Sequence, residues 1–192
     1  MRIFYAAEFP EAVKQAMADN IAEVKKHTVR GSFTWRDNFH LTFVFVGECA
    51  PNDIEKLKQA ADSVVAKLNP PPIDVVIDGL GTFPRPDGAI LWAGMKTQKV
   101  QSEPRNILSE INSALLAELR AVGINLKQEY SRFVPHVTIG RRVELNKPLE
   151  LIKFKPVNFA IDAITIMESI GSNKGIIYEP LYRAEFIKKL RA

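Results

Sequence analysis

One cysteine, Cys49, stands among 192 residues, so no disulfide can close within the chain and nothing points to an oxidising compartment. Long apolar runs are missing too. The best candidates, residues 41–47 and 73–80, have strand length, against the roughly 18 residues of a membrane span. The apolar stretch after Arg2 meets Glu8 and Pro10 too soon for a signal peptide. A soluble, cytoplasmic protein is expected. No Gly-rich phosphate loop is present, which excludes the dinucleotide and Walker fingerprints. Neither sign of charge dominates: 26 Lys and Arg against 22 Asp and Glu leave a net charge of +4. That balance is compatible with a polyanionic substrate, RNA included, without demanding one. The remainder is ordinary, with 46% hydrophobic and 25% charged residues. This composition excludes a disordered tail, a collagen-like repeat and a coiled-coil rod. The length fits one domain, 1–192, able to bury roughly 70% of its unfolded surface.

Residues 2–8 read as an opening strand, and Val13, Met17, Ile21 and Val24 recur at helical spacing behind Pro10. A short strand is expected at 33–36, a clear one at 39–47, and a second helix from Pro51 to Leu68. Asn69-Pro70-Pro71-Pro72 stops that helix. Strands follow at 73–83 and 89–96, a long helix at 100–122 before Gly123, and strands at 130–141, 157–169 and 176–186. The basic tail around Lys188, Lys189 and Arg191 reads as a solvated end. The fold class is α+β, with mainly antiparallel sheets each backed by helix on one side. Trp35 and Trp92 are expected in the core; at a cleft rim, such a ring would stack a base.

Three histidines are present, and two head the same pattern: His40-Leu41-Thr42-Phe43 and His136-Val137-Thr138-Ile139. They stand 96 residues apart, half the chain, and with only seven threonines chance rarely repeats such a pairing. In a strand, residues i and i+2 share a face, so His40 and Thr42 point together, as do His136 and Thr138. Leu41, Phe43, Val137 and Ile139 then point into a core. Two such strands facing across a cleft present two imidazoles and two hydroxyls. One imidazole can take a proton while the other gives one, and threonine hydroxyls donate to phosphate oxygens. That equipment splits a phosphodiester without a metal, and no metal ligand set or cofactor is expected. The competing view is two ordinary strands that happen to carry His and Thr. His27, lacking the Thr, reads as a helix-end or surface residue.

The paired His-X-Thr-X motifs resemble the two-histidine phosphoesterase superfamily, and within it the RNA 2',3'-cyclic phosphodiesterases, also called 2'-5' RNA ligases. The likeness extends through Arg2-Ile3-Phe4, Asn38-Phe39, Val46-Gly47-Glu48, Phe83-Pro84-Arg85-Pro86, Leu91-Trp92, Phe133-Val134-Pro135, Met167-Glu168-Ser169 and Tyr178-Glu179-Pro180-Leu181. It implies a bilobal, pseudo-symmetric α+β fold with both motifs in a central cleft. The implied reaction opens an RNA 2',3'-cyclic phosphate to a 2'-phosphate; members also join tRNA halves through a 2'-5' bond in the reverse sense. By carry-over His40 is the proton donor, His136 the proton acceptor, and Thr42 and Thr138 hold phosphate oxygens. The repeat alone does not assign the two histidine roles. Arg141 would neutralise the phosphate if Gly140 bends the chain; on an unbroken strand it faces away from His136. RNA ends are the expected partners, with no membrane and a monomeric protein. Two alternatives stay open: a phosphodiesterase on a small cyclic phosphate, such as an ADP-ribose cyclic phosphate, and an RNA-binding module without turnover.

Overall fold

The computed structural model describes residues 1–98, 106–126, 132–173 and 175–186. Among them the chain runs β1 (Arg2–Glu8), α1 (Glu11–Lys25), β2 (Thr28–Phe33), β3 (His40–Glu48), α2 (Ile54–Leu68), β4 (Ile73–Phe83), β5 (Ala89–Thr97), α3 (Ile107–Ala121), β6 (His136–Leu145), β7 (Val157–Ile161), β8 (Ala163–Ser172) and β9 (Gly175–Glu185). The strands form two antiparallel sheets, ordered β3-β1-β8-β9 and β2-β6-β5-β4-β7. The expected α+β class with helix-backed antiparallel sheets is the one observed.

Each helix buries the stripe its sequence spells out. On α1 the stripe is Val13, Met17, Ile21 and Val24; on α3 it is Leu108, Ile111, Leu115 and Leu119. The helix α2 ends at Asn69, whose left-handed backbone (φ 44°) turns the chain into the prolines. Helices α2 and α3 pack on each other and over the first sheet, and α1 lies against β7 of the second. One hydrophobic cluster runs through both sheets, taking Ile3 and Tyr5 from β1, Leu41 from β3, Leu91 from β5 and Val137 from β6.

The sheets do not correspond to the halves of the chain. The first takes strands from both ends of the sequence, and the second takes β2 and the middle. Several expected boundaries move for physical reasons. The strand at 33–36 is instead Thr28–Phe33, because β6 offers partners from Leu145 to Gly140, and a 3₁₀ turn at Arg36–Asn38 follows. The run 157–169 is two strands broken at Asp162, since β7 edges the second sheet while β8 lies inside the first. The strand expected from Tyr130 begins at His136, after Pro135, which has no N–H for a ladder. The first residues of that strand, the start of the helix expected at 100 and the basic tail lie outside the described residues. Trp35 is not core: it is 66% exposed.

Candidate active site

His40 opens β3 and His136 opens β6, and these two strands lie against each other. The alternation is the one strand geometry requires. Leu41, Phe43, Val137 and Ile139 are buried, while His40, Thr42, His136 and Thr138 are half-buried on the other side.

Both motif strands are interrupted at the same place. On β3, Thr42 and Val44 face Ala6 and Tyr5, so Phe43 is an extra residue. On β6, Thr138 and Gly140 face Trp92 and Leu91, so Ile139 is the extra residue. Each is a β-bulge three residues past its histidine. The unladdered carbonyls are satisfied from outside the pair. Asn112 of α3 donates Nδ2–H to the Phe43 carbonyl (2.7 Å). Thr34 donates its N–H to the Ile139 carbonyl (3.0 Å) and its hydroxyl to that of Thr138 (2.9 Å). The bulge on β6 also returns Arg141 to the histidine face, because one extra residue reverses the alternation. Gly140 is needed there, since a Cβ would meet Val143 Cγ2 at 2.7 Å. The equivalent of Arg141 on β3 is Phe45, with the Arg2 guanidinium 5.0 Å above its ring.

The imidazoles are held alike. His40 Nδ1 lies 2.7 Å from the Asn38 carbonyl and His136 Nδ1 lies 2.7 Å from the Val134 carbonyl. A carbonyl only accepts, so Nδ1 carries the hydrogen in both rings and Nε2 is the nitrogen left for chemistry. His40 Nε2 lies 2.8 Å from the Thr42 hydroxyl, which donates to it when the ring is neutral. Each ring also sits among aromatics. Phe4 and Tyr178 flank His40 at 4.9 and 5.0 Å, and Phe83 and Trp92 flank His136 at 5.1 and 6.0 Å. Among the described residues the buried Trp92 indole N–H meets no acceptor.

These surroundings disfavour the charged imidazole. Desolvation lowers the pKa of His40 to about 4, against the raising effect of its carbonyl bond, with His136 and Arg141 lowering it further. Desolvation also lowers the pKa of His136, followed by the charge of Arg141. Arg141 is thus near enough to act on both rings. An acid-sensitive fold follows. Because the folded His40 pKa lies below the unfolded value near 6.5, the unfolded chain binds more protons, and stability falls as pH drops from about 6.5 to about 4. His40 alone contributes a loss of about 3 kcal/mol over that window. Urea midpoints measured at pH 7 and pH 4 are expected to differ less in His40→Gln than in the unaltered protein; equal differences would remove His40 as the source.

Among the described residues, no three His, Cys, Asp or Glu side chains gather as a metal-binding group. A polar cavity of about 480 Å³ lies nearby, lined by Ser109, Asn112, Ser113, Arg132 and Phe133, and contains neither histidine. His27 sits at the end of α1 with Nε2 3.7 Å from Glu23, away from the pair. The structure brings His40, Thr42, His136, Thr138 and Arg141 onto facing strands. It adds Phe4, Phe83 and Tyr178 as ring neighbours, and Asn112 and Thr34 as the groups that complete the bulges. Nothing in the sequence marks the last two, since they bind backbone oxygens.

The profile of the 2'-5' RNA ligase superfamily matches residues 10–173. Among curated proteins, the chain is 29% identical to an RNA 2',3'-cyclic phosphodiesterase of Thermotoga maritima, covering 97% of this chain and 96% of that one. It is 26% identical to one of Aeropyrum pernix, over 78% and 82%. Among solved structures it superposes on a Thermus thermophilus protein with a TM-score of 0.73 at 20% identity, covering 98% and 100%. On E. coli LigT crystallised with 3'-AMP the TM-score is 0.71 at 20% identity, over 97% and 98%. These superpositions bear on the fold. The match over most of its length makes the chain a member of the 2'-5' RNA ligase superfamily.

Proposed function

We propose that residues 1–192 form a single two-lobed, monomeric domain that opens RNA 2',3'-cyclic phosphate ends to 2'-phosphates without a metal. The observation that carries this reading is the duplicated unit: two imidazoles, each fixed through Nδ1 to a carbonyl two residues back, each with a threonine beside it and a bulge behind it. The names of the Thermotoga and Aeropyrum relatives support the substrate class. In the reaction, His136 Nε2 takes a proton from the attacking water as its oxygen bonds to phosphorus. The bond from phosphorus to the 3' oxygen breaks, and His40 Nε2–H protonates that oxygen, leaving a 3'-hydroxyl and a 2'-phosphate. Thr42, Thr138 and Arg141 hold the non-bridging oxygens as charge builds. With an RNA 5'-hydroxyl in place of water, the same displacement joins tRNA halves through a 2'-5' bond.

The low pKa of His40 has a consequence for the acid. The ring is neutral at pH 7 in the empty site, so the bound phosphate must supply the negative charge that keeps Nε2 protonated. In the exchanged assignment His40 is the base and His136 the acid; desolvation, the largest influence on both rings, lowers both pKa values and does not by itself tell the two apart.

A short RNA ending in a 2',3'-cyclic phosphate, incubated with the protein in EDTA and followed by phosphorus NMR, is expected to yield the 2'-phosphate alone. An intact ring would sink this reading; turnover confined to a small cyclic phosphate would replace the substrate.

A further inference from the structure

We propose that Trp35 and the β9 end of the β8–β9 hairpin form a stacking subsite for an RNA base upstream of the cyclic end, resting on the RNA-end reading above. Among the described residues Trp35 is the most exposed of the large hydrophobic side chains, at 66%, and Ile176 beside it is 49% exposed. A lone exposed ring needs no explanation, but the backbone that carries this one is held in place. On one side Thr34 is bound to the Thr138 and Ile139 carbonyls. On the other, the Asn38 N–H donates to the Trp35 carbonyl (2.9 Å), closing the 3₁₀ turn. The Asn38 side-chain amide donates to the Ile176 carbonyl (2.7 Å), which draws the hairpin against the turn. Gly175 lies beside the ring, a Cβ there standing 3.9 Å from the indole Nε1 in ordinary contact.

The seat is continuous with the histidine cleft. Ile176 and Tyr178 share one face of β9, and the Tyr178 ring meets His40 edge-on at 5.0 Å. From Gly175, beside the indole, to Tyr178, beside His40, the strand spans about 10 Å, a separation along β9 on the scale of a neighbouring nucleotide. The same Asn38 accepts the Nδ1–H of His40 on its carbonyl, tying ring, turn and hairpin together. Arg36, next along, is occupied by Glu11 and Asp37, so the subsite offers a ring rather than a free charge. Single-stranded RNA is recognised by such rings, and their rigidity lowers the entropic cost of binding.

The test compares kcat/KM on a short oligoribonucleotide ending in a 2',3'-cyclic phosphate with kcat/KM on a mononucleoside 2',3'-cyclic phosphate. In Trp35→Ala the preference for the oligonucleotide is expected to fall roughly 5- to 100-fold, with little dependence on salt, and to return largely in Trp35→Phe. Equal losses on both substrates, or an unchanged preference, would overturn the proposal. If the unaltered protein opens neither substrate, the reaction reading fails by itself. Tryptophan fluorescence quenching by an oligoribonucleotide with an inert 3' end then decides. Quenching that disappears in Trp35→Phe supports the subsite, and its absence from the unaltered protein rejects it.

Discussion

Alanine in place of either His40 or His136 is expected to slow the opening of an RNA 2',3'-cyclic phosphate by roughly 10²- to 10⁴-fold, with affinity for the RNA end little changed. Both rings are fixed through Nδ1, so each removal takes away one correctly aimed Nε2 and nothing else that touches the phosphate except through Thr42. The dependence of kcat/KM on pH is expected to be bell-shaped, and its limbs belong to the pair because the two rings influence one another. Since both pKa values are depressed in the empty site, the optimum for kcat is expected at higher pH than that for kcat/KM, the bound phosphate having raised them. A substrate whose 3' oxygen is replaced by sulfur separates the roles, because a thiolate departs without a proton. It should rescue the variant lacking the acid and leave the other impaired. Rescue of neither, together with full activity in both variants, would reduce the duplicated motif to ordinary strand residues.

Gly81→Ala is expected to have the second large effect. Gly81 lies opposite Trp92 across β4 and β5, and a Cβ there would come within 2.2 Å of Trp92 Cζ2 and Cη2. A Cβ essentially never comes within 3.0 Å of such a neighbour, so the indole must tip. It is wedged against Phe83 at 5.2 Å and His136 at 6.0 Å, and Gly94 leaves little space on its other flank. Overpacking of this kind costs about 1–3 kcal/mol. A loss of rate should accompany it, of the order of tenfold, since a displaced indole disturbs the wall against which His136 is set. Gly171→Ala provides the comparison, because nothing lies within 4 Å of its Cβ and its backbone is ordinary. Similar thermal midpoints for the two variants would show that Trp92 has somewhere to go.

The duplicated His-X-Thr pattern was legible in the sequence because side-chain alternation in a strand depends only on chain geometry. Leu41 and Val137 are fully buried as that alternation requires. Helix stripes such as Leu108, Ile111, Leu115 and Leu119 were legible for the same reason at a different period. What depends on a distant partner was hidden. The position of Arg141 turns on a bulge that exists only because β5 pairs with β6 out of step, and Gly140 merely hinted at it. Trp35 reads as a core residue by type, yet its turn is held at the surface by hydrogen bonds to β6 and β9. The run 157–169 looks continuous because both halves are apolar; only the two sheets competing for it divide it at Asp162.

The braiding of the first sheet sets a timetable for the molecule. Ile3 faces Gly47 on one side and Glu168 on the other, so β1 can gain one neighbour early but waits for nearly the whole chain to gain the second. During synthesis that open edge, carrying the buried side chains of Ile3 and Tyr5, is a ready template for unwanted pairing. Closing so long a loop is also slow, because its entropy is spent before any contact repays it. The wall formed around His40 by Tyr178 therefore waits for β8 and β9 to join β1, and is among the last of the described parts to assemble.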